Sequence, residues 1–430
     1  MTQKIDMIFN HNWSFKDTYS RDYLHNYFKY PAMMVPQMIR HIINEFCSLN
    51  PDIQYIYDPF VGSGTVLTES MLQGLNFSGR DINPLSILLC KVKAGPFYER
   101  ALINKINSLL DSINKQTSYD ATFDFKNIDK WFRQDVKLDL LKIKKTIEEE
   151  KYLWARRFFW VAFAETIRVV SNSRTTTYKL HIRENFQIET RKIDTIKVFT
   201  DTLKNNFKYM QQTYRYLKDK KLLKNGIYVK DISIIYGDTR EDFTIKKQFD
   251  LVLTSPPYGD NHTTVTYGQY SYLPLQWINL RDIDDSVDKN YLDSISKIDR
   301  ISLGGVNYTD NKYSEGLINI SSTYKEYVKL FEKYPKRFID KITSFFYDLN
   351  RCLDPIIFNL KDNGHLILVL GNRTVCGVKI ELDKVLIELL YSRNIYMLNT
   401  LHRVIHSKRM ARKNKTADTI SKESILIFKK

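Results

Sequence analysis

Only four cysteines occur in 430 residues. No two form a Cys-x-x-Cys pair, and none stands near a histidine at zinc spacing, which excludes a disulfide framework and a structural zinc site. Cys47, Cys90, Cys352 and Cys376 read as buried or incidental thiols in a reducing compartment. Histidine is also sparse, at eight residues. His402 and His406 have the four-residue spacing of a helical metal pair, but no glutamate accompanies them and their Ile/Val/Leu surroundings read as strand or loop, so no metal is expected. No apolar run approaches the roughly 20 residues that span a bilayer, and the opening residues lack the basic-then-apolar order of a signal peptide. The reading is a cytoplasmic protein with no membrane attachment. Acidic residues are in deficit, 49 against 65 Lys and Arg, for a net charge of +16 and a pI near 9.3. Lysine-rich composition can follow from nucleotide bias, so the charge tilts the reading toward a polyanionic partner such as nucleic acid without fixing it.

With 43% hydrophobic residues, the chain can bury one large core and a second substructure. Short β-rich runs at 53–57, 77–79, 233–236, 250–253, 366–370, 395–405 and 425–428 punctuate it, several ending in a glycine or an acid. Helical periodicity lies between many of them, which predicts an α/β sheet covered on both faces, with its ligand beyond the carboxyl ends of the strands. Two stretches break the rhythm. Residues 98–230 carry helical patterns alone, with Leu102, Ile106, Leu109 and Ile113 on one face and Val136, Leu140, Ile143 and Ile147 on another. Residues 261–335 are rich in Tyr, Ser, Thr, Asn and Asp with weak periodicity, and read as ordered loops. The division is therefore 1–97 and 231–260 as parts of one core, 98–230 as a helical insertion of domain size, 261–335 as a target-recognition candidate, and 336–430 as the end of the core.

Asp58-Pro59-Phe60-Val61-Gly62-Ser63-Gly64-Thr65 follows a strand and opens a helix. Its glycines let backbone approach a ligand closely, and the missing Gly-Lys-Ser/Thr ending excludes a Walker loop. A nucleoside with a charged tail fits such a strand end. Asp81, 19 residues after Gly62, ends the next strand, where a carboxylate accepts from both hydroxyls of a ribose. Asp238 ends a third strand and is suited to an adenine amino group.

Ser255-Pro256-Pro257-Tyr258 then follows the strand at 250–253. This pattern resembles the S-adenosylmethionine-dependent amino-methyltransferases, and its Ser-Pro-Pro-Tyr form is similar to that of the bacterial N4-cytosine DNA modification methylases. Tyr30-Pro31-Ala32 resembles the family's N-terminal cofactor motif, and 259–277 and 406–410 resemble further family segments. The resemblance implies a Rossmann-like fold with a mostly parallel seven-stranded sheet, S-adenosylmethionine as cofactor, and double-stranded DNA as a sequence-specific partner. It leaves open a companion restriction endonuclease and the oligomeric state. Pro31, Asp58, Pro59, Phe60, Gly62, Gly64, Thr65, Asp81 and Asp238 are then the cofactor-binding candidates. Ser255, Pro256, Pro257 and Tyr258 are the catalytic ones.

The motif suits the chemistry. A cytosine amino group is a poor nucleophile because its lone pair is delocalised into the ring, and acceptors aimed at its hydrogens free that pair for the sulfonium methyl. The Ser255 hydroxyl and Pro256 carbonyl are such acceptors, and the two prolines hold the backbone. Serine is not a base here; proton loss to solvent suffices. Tyr258 offers a ring face for a base flipped out of the stack, and its hydroxyl has no part in that stacking. No Pro-Cys nucleophile motif exists, which disfavours C5-cytosine chemistry. Adenine N6 and an RNA base remain alternative targets. For DNA contact, Lys408, Arg409, Arg412 and Lys413 form a basic cluster suited to phosphates. Target reading falls either to 261–335, which follows the catalytic motif directly, or to Arg168, Arg174, Lys179 and Arg183 in the insertion.

Overall fold

The computed structural model describes residues 13, 15, 21–117, 122–243, 247–405 and 422–430. Seven strands form one sheet: β1 (Tyr55–Asp58), β2 (Asn76–Asp81), β3 (Ile232–Tyr236), β4 (Phe249–Thr254), β5 (Leu360–Leu370), β6 (Tyr396–Val404) and β7 (Lys422–Lys429). Their order is β6-β7-β5-β4-β1-β2-β3. β1 through β5 run parallel, and β7 is antiparallel to both β5 and β6. β1 is flanked by β2 and β4, so the chain reverses direction across the sheet at that point. The crevice at a reversal lies beyond the carboxyl ends of the central strands, which here are the ends carrying Asp58 and Thr254.

Strand periodicity divides the core in two. Leu251, Leu253, Ile367, Val369, Ile425 and Ile427 face one hydrophobic cluster. Val252, Leu366, Leu368, Leu370, Leu426 and Phe428 face the other, as successive side chains must on a pleated strand covered on both sides. Helices of eight or more residues in the first half are α1 (Pro36–Leu49), α2 (Thr65–Leu72), α3 (Pro84–Lys93), α4 (Glu99–Lys115), α5 (Gln134–Glu148), α6 (Leu153–Val170) and α7 (Thr195–Asp219). In the second half they are α8 (Tyr267–Trp277), α9 (Asn311–Ile320), α10 (Ser322–Phe331), α11 (Arg337–Asn359) and α12 (Leu382–Tyr391).

The stretch 98–230 is helical as expected, apart from a small hairpin pairing Leu223–Lys224 with Ile227–Tyr228. It has no core of its own, however. Trp160, Phe163 and Ile167 of α6 and Phe199 and Leu203 of α7 belong to the same cluster as β1 and β4. Its α6 packs on α3 and α8, so the insertion is a wall of the main body.

The stretch 261–335 differs from the loop expectation: it holds α8, α9, α10 and three shorter helical turns. The apolar stripe is hard to see because buried tyrosines serve in it, Tyr270, Tyr272, Tyr324 and Tyr327 among them. The polar residues that read as loop are in part caps: Asn279, Asp288, Asp310 and Ser321 each accept a backbone N–H at a helix start. Among the described residues no helix is long and apolar enough to cross a membrane.

Candidate active site

Asp58 ends β1 completely buried. Its Oδ1 accepts from Thr254 Oγ1 at 2.6 Å and from the Phe60 amide at 3.1 Å, while Oδ2 has no partner. Burial raises its pKa to about 7. One carboxyl thus ties the start of the glycine loop to the end of β4. The loop needs both its glycines: Gly62 and Gly64 have φ of +48° and +72°, and a Cβ on Gly64 would stand 2.9 Å from Cys90 Sγ. Beneath it, α3 supplies supports that sequence reading missed. Ser86 Oγ donates to the Gly62 carbonyl at 2.5 Å, and Lys93 Nζ donates to the Ser63 carbonyl at 2.7 Å. Lys93 is fully buried, and desolvation lowers its pKa to about 8.

Asp81 closes the loop from the side. Its Oδ2 accepts from the Gly62 amide at 2.9 Å and from Ser86 Oγ at 3.0 Å, and its Oδ1 accepts from the Asn83 amide at 2.8 Å. Asn83, absent from the sequence candidates, caps α3 and donates from Nδ2 to Tyr30 Oη at 3.1 Å and Ser271 Oγ at 2.8 Å. The Tyr30 ring stacks on Tyr267 with centroids 5.7 Å apart.

Tyr30, Asp81, Asn83 and Tyr267 line one cleft. Of the expected residues, Pro31, Pro59, Phe60, Gly62, Thr65, Asp81, Asp238, Ser255 and Pro257 face it together. Asp58, Gly64, Pro256 and Tyr258 stand behind that lining. Asp238 differs in detail from its sequence reading, since Arg240 grips both its oxygens through Nε at 3.0 Å and also donates to the Ile301 carbonyl. Any adenine amino group competes with Arg240 for that carboxylate. The far wall comes from the short helix Lys297–Ile301 and Leu303. Asp299 holds that helix in place by accepting from the Gly268 and Gln269 amides at the start of α8. The candidate recognition stretch therefore closes the cleft.

At the mouth, Ser255 Oγ donates to Tyr258 Oη at 3.2 Å, and Tyr258 Oη donates to Glu423 Oε1 at 3.1 Å. Burial and the Glu423 charge push the Tyr258 phenol well above its ordinary pKa. Its hydroxyl thus has two partners where the sequence reading assigned it none. Downstream, the buried Asp260–Arg373 ion pair, 3.0 Å apart, pins the motif to the end of β5, and Arg373 leaves no room for a Cβ on Gly259. A loop of the insertion lies alongside: Ser173 bridges Ile182, Tyr178 meets the Tyr270 ring at 5.9 Å, and Leu180 N donates to Gln269 Oε1 at 3.4 Å. Lys408, Arg409, Arg412 and Lys413 lie outside the described residues.

A parallel sheet with one antiparallel hairpin, a glycine loop over its reversal point and a Ser-Pro-Pro-Tyr turn at the next strand end define an amino-methyltransferase class. A family model described as DNA methylase, of the N6/N4 type, matches residues 2–89. The type II methyltransferase M.MvaI of Kocuria varians is 32% identical over 97% of this chain and 91% of that protein. The type II methyltransferase M.BsoBI of Geobacillus stearothermophilus is 24% identical over 60% of this chain and 54% of that protein. The chain belongs to the type II DNA methyltransferase family, and S-adenosylmethionine is its methyl donor. The cleft fits that molecule. The Asp81 and Asp238 carboxylates suit its hydroxyls and positive charge, and Phe60, Ile82, Ile298 and Leu303 supply apolar walls for a flat base.

Proposed function

We propose that this enzyme methylates the exocyclic N4 of cytosine in duplex DNA, on a base turned out of the stack into the mouth beside Ser255. The observation that carries amine methylation is the Ser255 hydroxyl, and the choice of cytosine rests on the Ser-Pro-Pro-Tyr form of the motif. That hydroxyl lies 3.2 Å from Tyr258 Oη, which lies 3.1 Å from the acceptor-only Glu423 carboxylate, so its proton is directed to Tyr258 and its lone pairs remain for an amine that has only hydrogens to offer. The Pro256 carbonyl, held between two prolines at the end of β4, is the second acceptor. Together they draw the amine toward tetrahedral geometry, so that its lone pair is released from the ring. Bound S-adenosylmethionine supplies the electrophilic methyl carbon. Gly62, Asp81 and Tyr30 hold and orient it, with Pro31, Asp58, Pro59, Phe60, Gly64, Thr65 and Asp238 completing or supporting its cleft. The product nitrogen loses its surplus proton to solvent.

DNA approaches across the insertion loop at 173–183, which presents exposed Arg174 and Lys179 beside the mouth and touches the segment just past Tyr258. Lys408, Arg409, Arg412 and Lys413 add phosphate contacts on the strength of their sequence alone. Digestion of DNA methylated by the purified enzyme, followed by mass spectrometry of the nucleosides, tests the target. N4-methylcytosine is expected. N6-methyladenine as the sole product would replace cytosine with adenine, and label found only in RNA would replace the substrate class.

A further inference from the structure

The Ser255–Tyr258 contact does not end at Tyr258. Glu423, the second residue of β7, receives the Tyr258 hydroxyl at 3.1 Å. It pairs across the strands with Arg403 of β6, whose Nε is 2.8 Å from its other oxygen. Both side chains are mostly buried, 16% and 8% exposed.

We propose that Glu423 is a positioning residue that acts through Tyr258 to hold the Ser255 hydroxyl as an acceptor facing the target amine. This rests on the amine-methylation reading above, and deepens it. A hydroxyl carries one hydrogen and can accept or donate, so its direction is ambiguous until a neighbour fixes it. A carboxylate can only accept. With Glu423 at the end, Tyr258 must donate to it, which leaves the Tyr258 oxygen as the acceptor for Ser255. Ser255 then has no hydrogen left for the cleft, and its lone pairs face the amine. The opposite direction would aim an O–H at an N–H and cancel the acceptor that the reaction needs. Each hydroxyl bond also polarises the next, so the carboxylate charge strengthens Ser255 as an acceptor. At 3.1 and 3.2 Å both bonds are long for hydroxyl donors, as catalytic bonds often are before the reactants tighten them.

Two variants and their combination test this. Tyr258→Phe keeps the ring for packing and stacking but removes the middle of the chain. Glu423→Gln keeps the shape but must turn its amide oxygen to Arg403 and its NH2 to Tyr258, which reverses the direction. Single-turnover transfer of tritiated methyl from S-adenosylmethionine to unmethylated genomic DNA should show a rate constant lowered roughly tenfold in each variant. KM for DNA and cofactor should stay within about twofold. The double variant should be no worse than Tyr258→Phe, because both break one chain. A purely structural Glu423 would lower the melting temperature and add its loss to that of Tyr258→Phe. A wild-type single-turnover rate in folded Tyr258→Phe, or additive losses in the double variant, would overturn the proposal. Product identity is read separately: a folded Tyr258→Phe at full rate still making N4-methylcytosine refutes the relay alone. Methyladenine from the wild type refutes the cytosine reading alone, since either amine needs the same acceptor.

Discussion

Replacing Asp58 with asparagine should change how stability depends on pH. The Asp58 side chain is wholly buried, with one oxygen bonded to Thr254 and Phe60 and the other without a partner. Burial raises its pKa from 3.8 to about 7. An acid whose folded pKa lies above its unfolded one binds its proton more tightly when folded. The folded state therefore loses stability as pH rises from about 4 to about 7, and the loss levels off above that. Roughly three pH units at about 1.36 kcal/mol each amount to about 4 kcal/mol, of which about 3 kcal/mol falls between pH 5 and pH 8. Asparagine keeps the bonded oxygen and carries no charge at either pH. Between those pH values Asp58→Asn should gain about 3 kcal/mol on the wild type, a relative rise in melting temperature of about 3 °C for a chain of this length. Circular-dichroism melts of the cofactor-free proteins at both pH values provide the measurement. If the two proteins trace parallel pH curves, Asp58 does not bear the cost of a buried charge and the reasoning fails.

Asp81→Ala removes the acceptor for the Gly62 and Asn83 amides and for Ser86, so calorimetry should find S-adenosylmethionine bound at least tenfold more weakly, at about 1.5–3 kcal/mol per charged hydrogen bond; unchanged affinity would remove Asp81 from the cofactor site. Ser255→Ala should lower the single-turnover rate by about 10² to 10³ with cofactor affinity intact, and a normal rate would leave the amine without its proposed acceptor. Arg174→Glu with Lys179→Glu should weaken duplex binding while leaving cofactor affinity alone, and equal DNA affinity would place the duplex elsewhere. Neutralising Lys408 and Arg409 together should weaken all DNA sequences alike and flatten the salt dependence by roughly two units of slope; altered site preference at constant slope would mean base contacts instead.

What could be read in advance was what local pattern encodes. Each of the seven strands contains or overlaps a short β-rich run, because buried strands need such residues, and several of those runs end in a glycine or an acid. The glycine loop and Ser255–Tyr258 were legible because their chemistry is contiguous. The helices in 261–335 were not, since tyrosines that look polar are buried in their stripes and capping residues imitate loop. Asn83 and Lys93 escaped notice for a different reason. An Asn-Pro at a helix start reads as a cap, and a lysine in a basic chain gives no sign that it is buried under the Ser63 carbonyl.

Glu423 illustrates the sharper limit. It stands 165 residues from Tyr258, just ahead of an apolar run that reads only as a buried strand. The sheet topology explains its place. β1, β2 and β4 are parallel, so each brings its last residues to the cleft: Asp58, Asp81 and Thr254. β7 runs antiparallel to β5, so the end that reaches the same edge is its beginning. A search for strand-end residues therefore finds the first three and overlooks the fourth. Direction also makes the Arg403–Glu423 pair effective: β6 arrives at that edge as β7 leaves it, and Val404 pairs with Lys422 as Arg403 pairs with Glu423. The antiparallel pair that breaks the parallel pattern thus delivers a carboxylate to the Ser-Pro-Pro-Tyr turn from the side opposite the glycine loop. The Ser255 hydroxyl is held from one direction by that carboxylate through Tyr258. From the other, its backbone follows Thr254, which is bonded to Asp58 and through it to the loop. The glycine loop and the Ser-Pro-Pro-Tyr turn are in this way parts of one hydrogen-bonded frame.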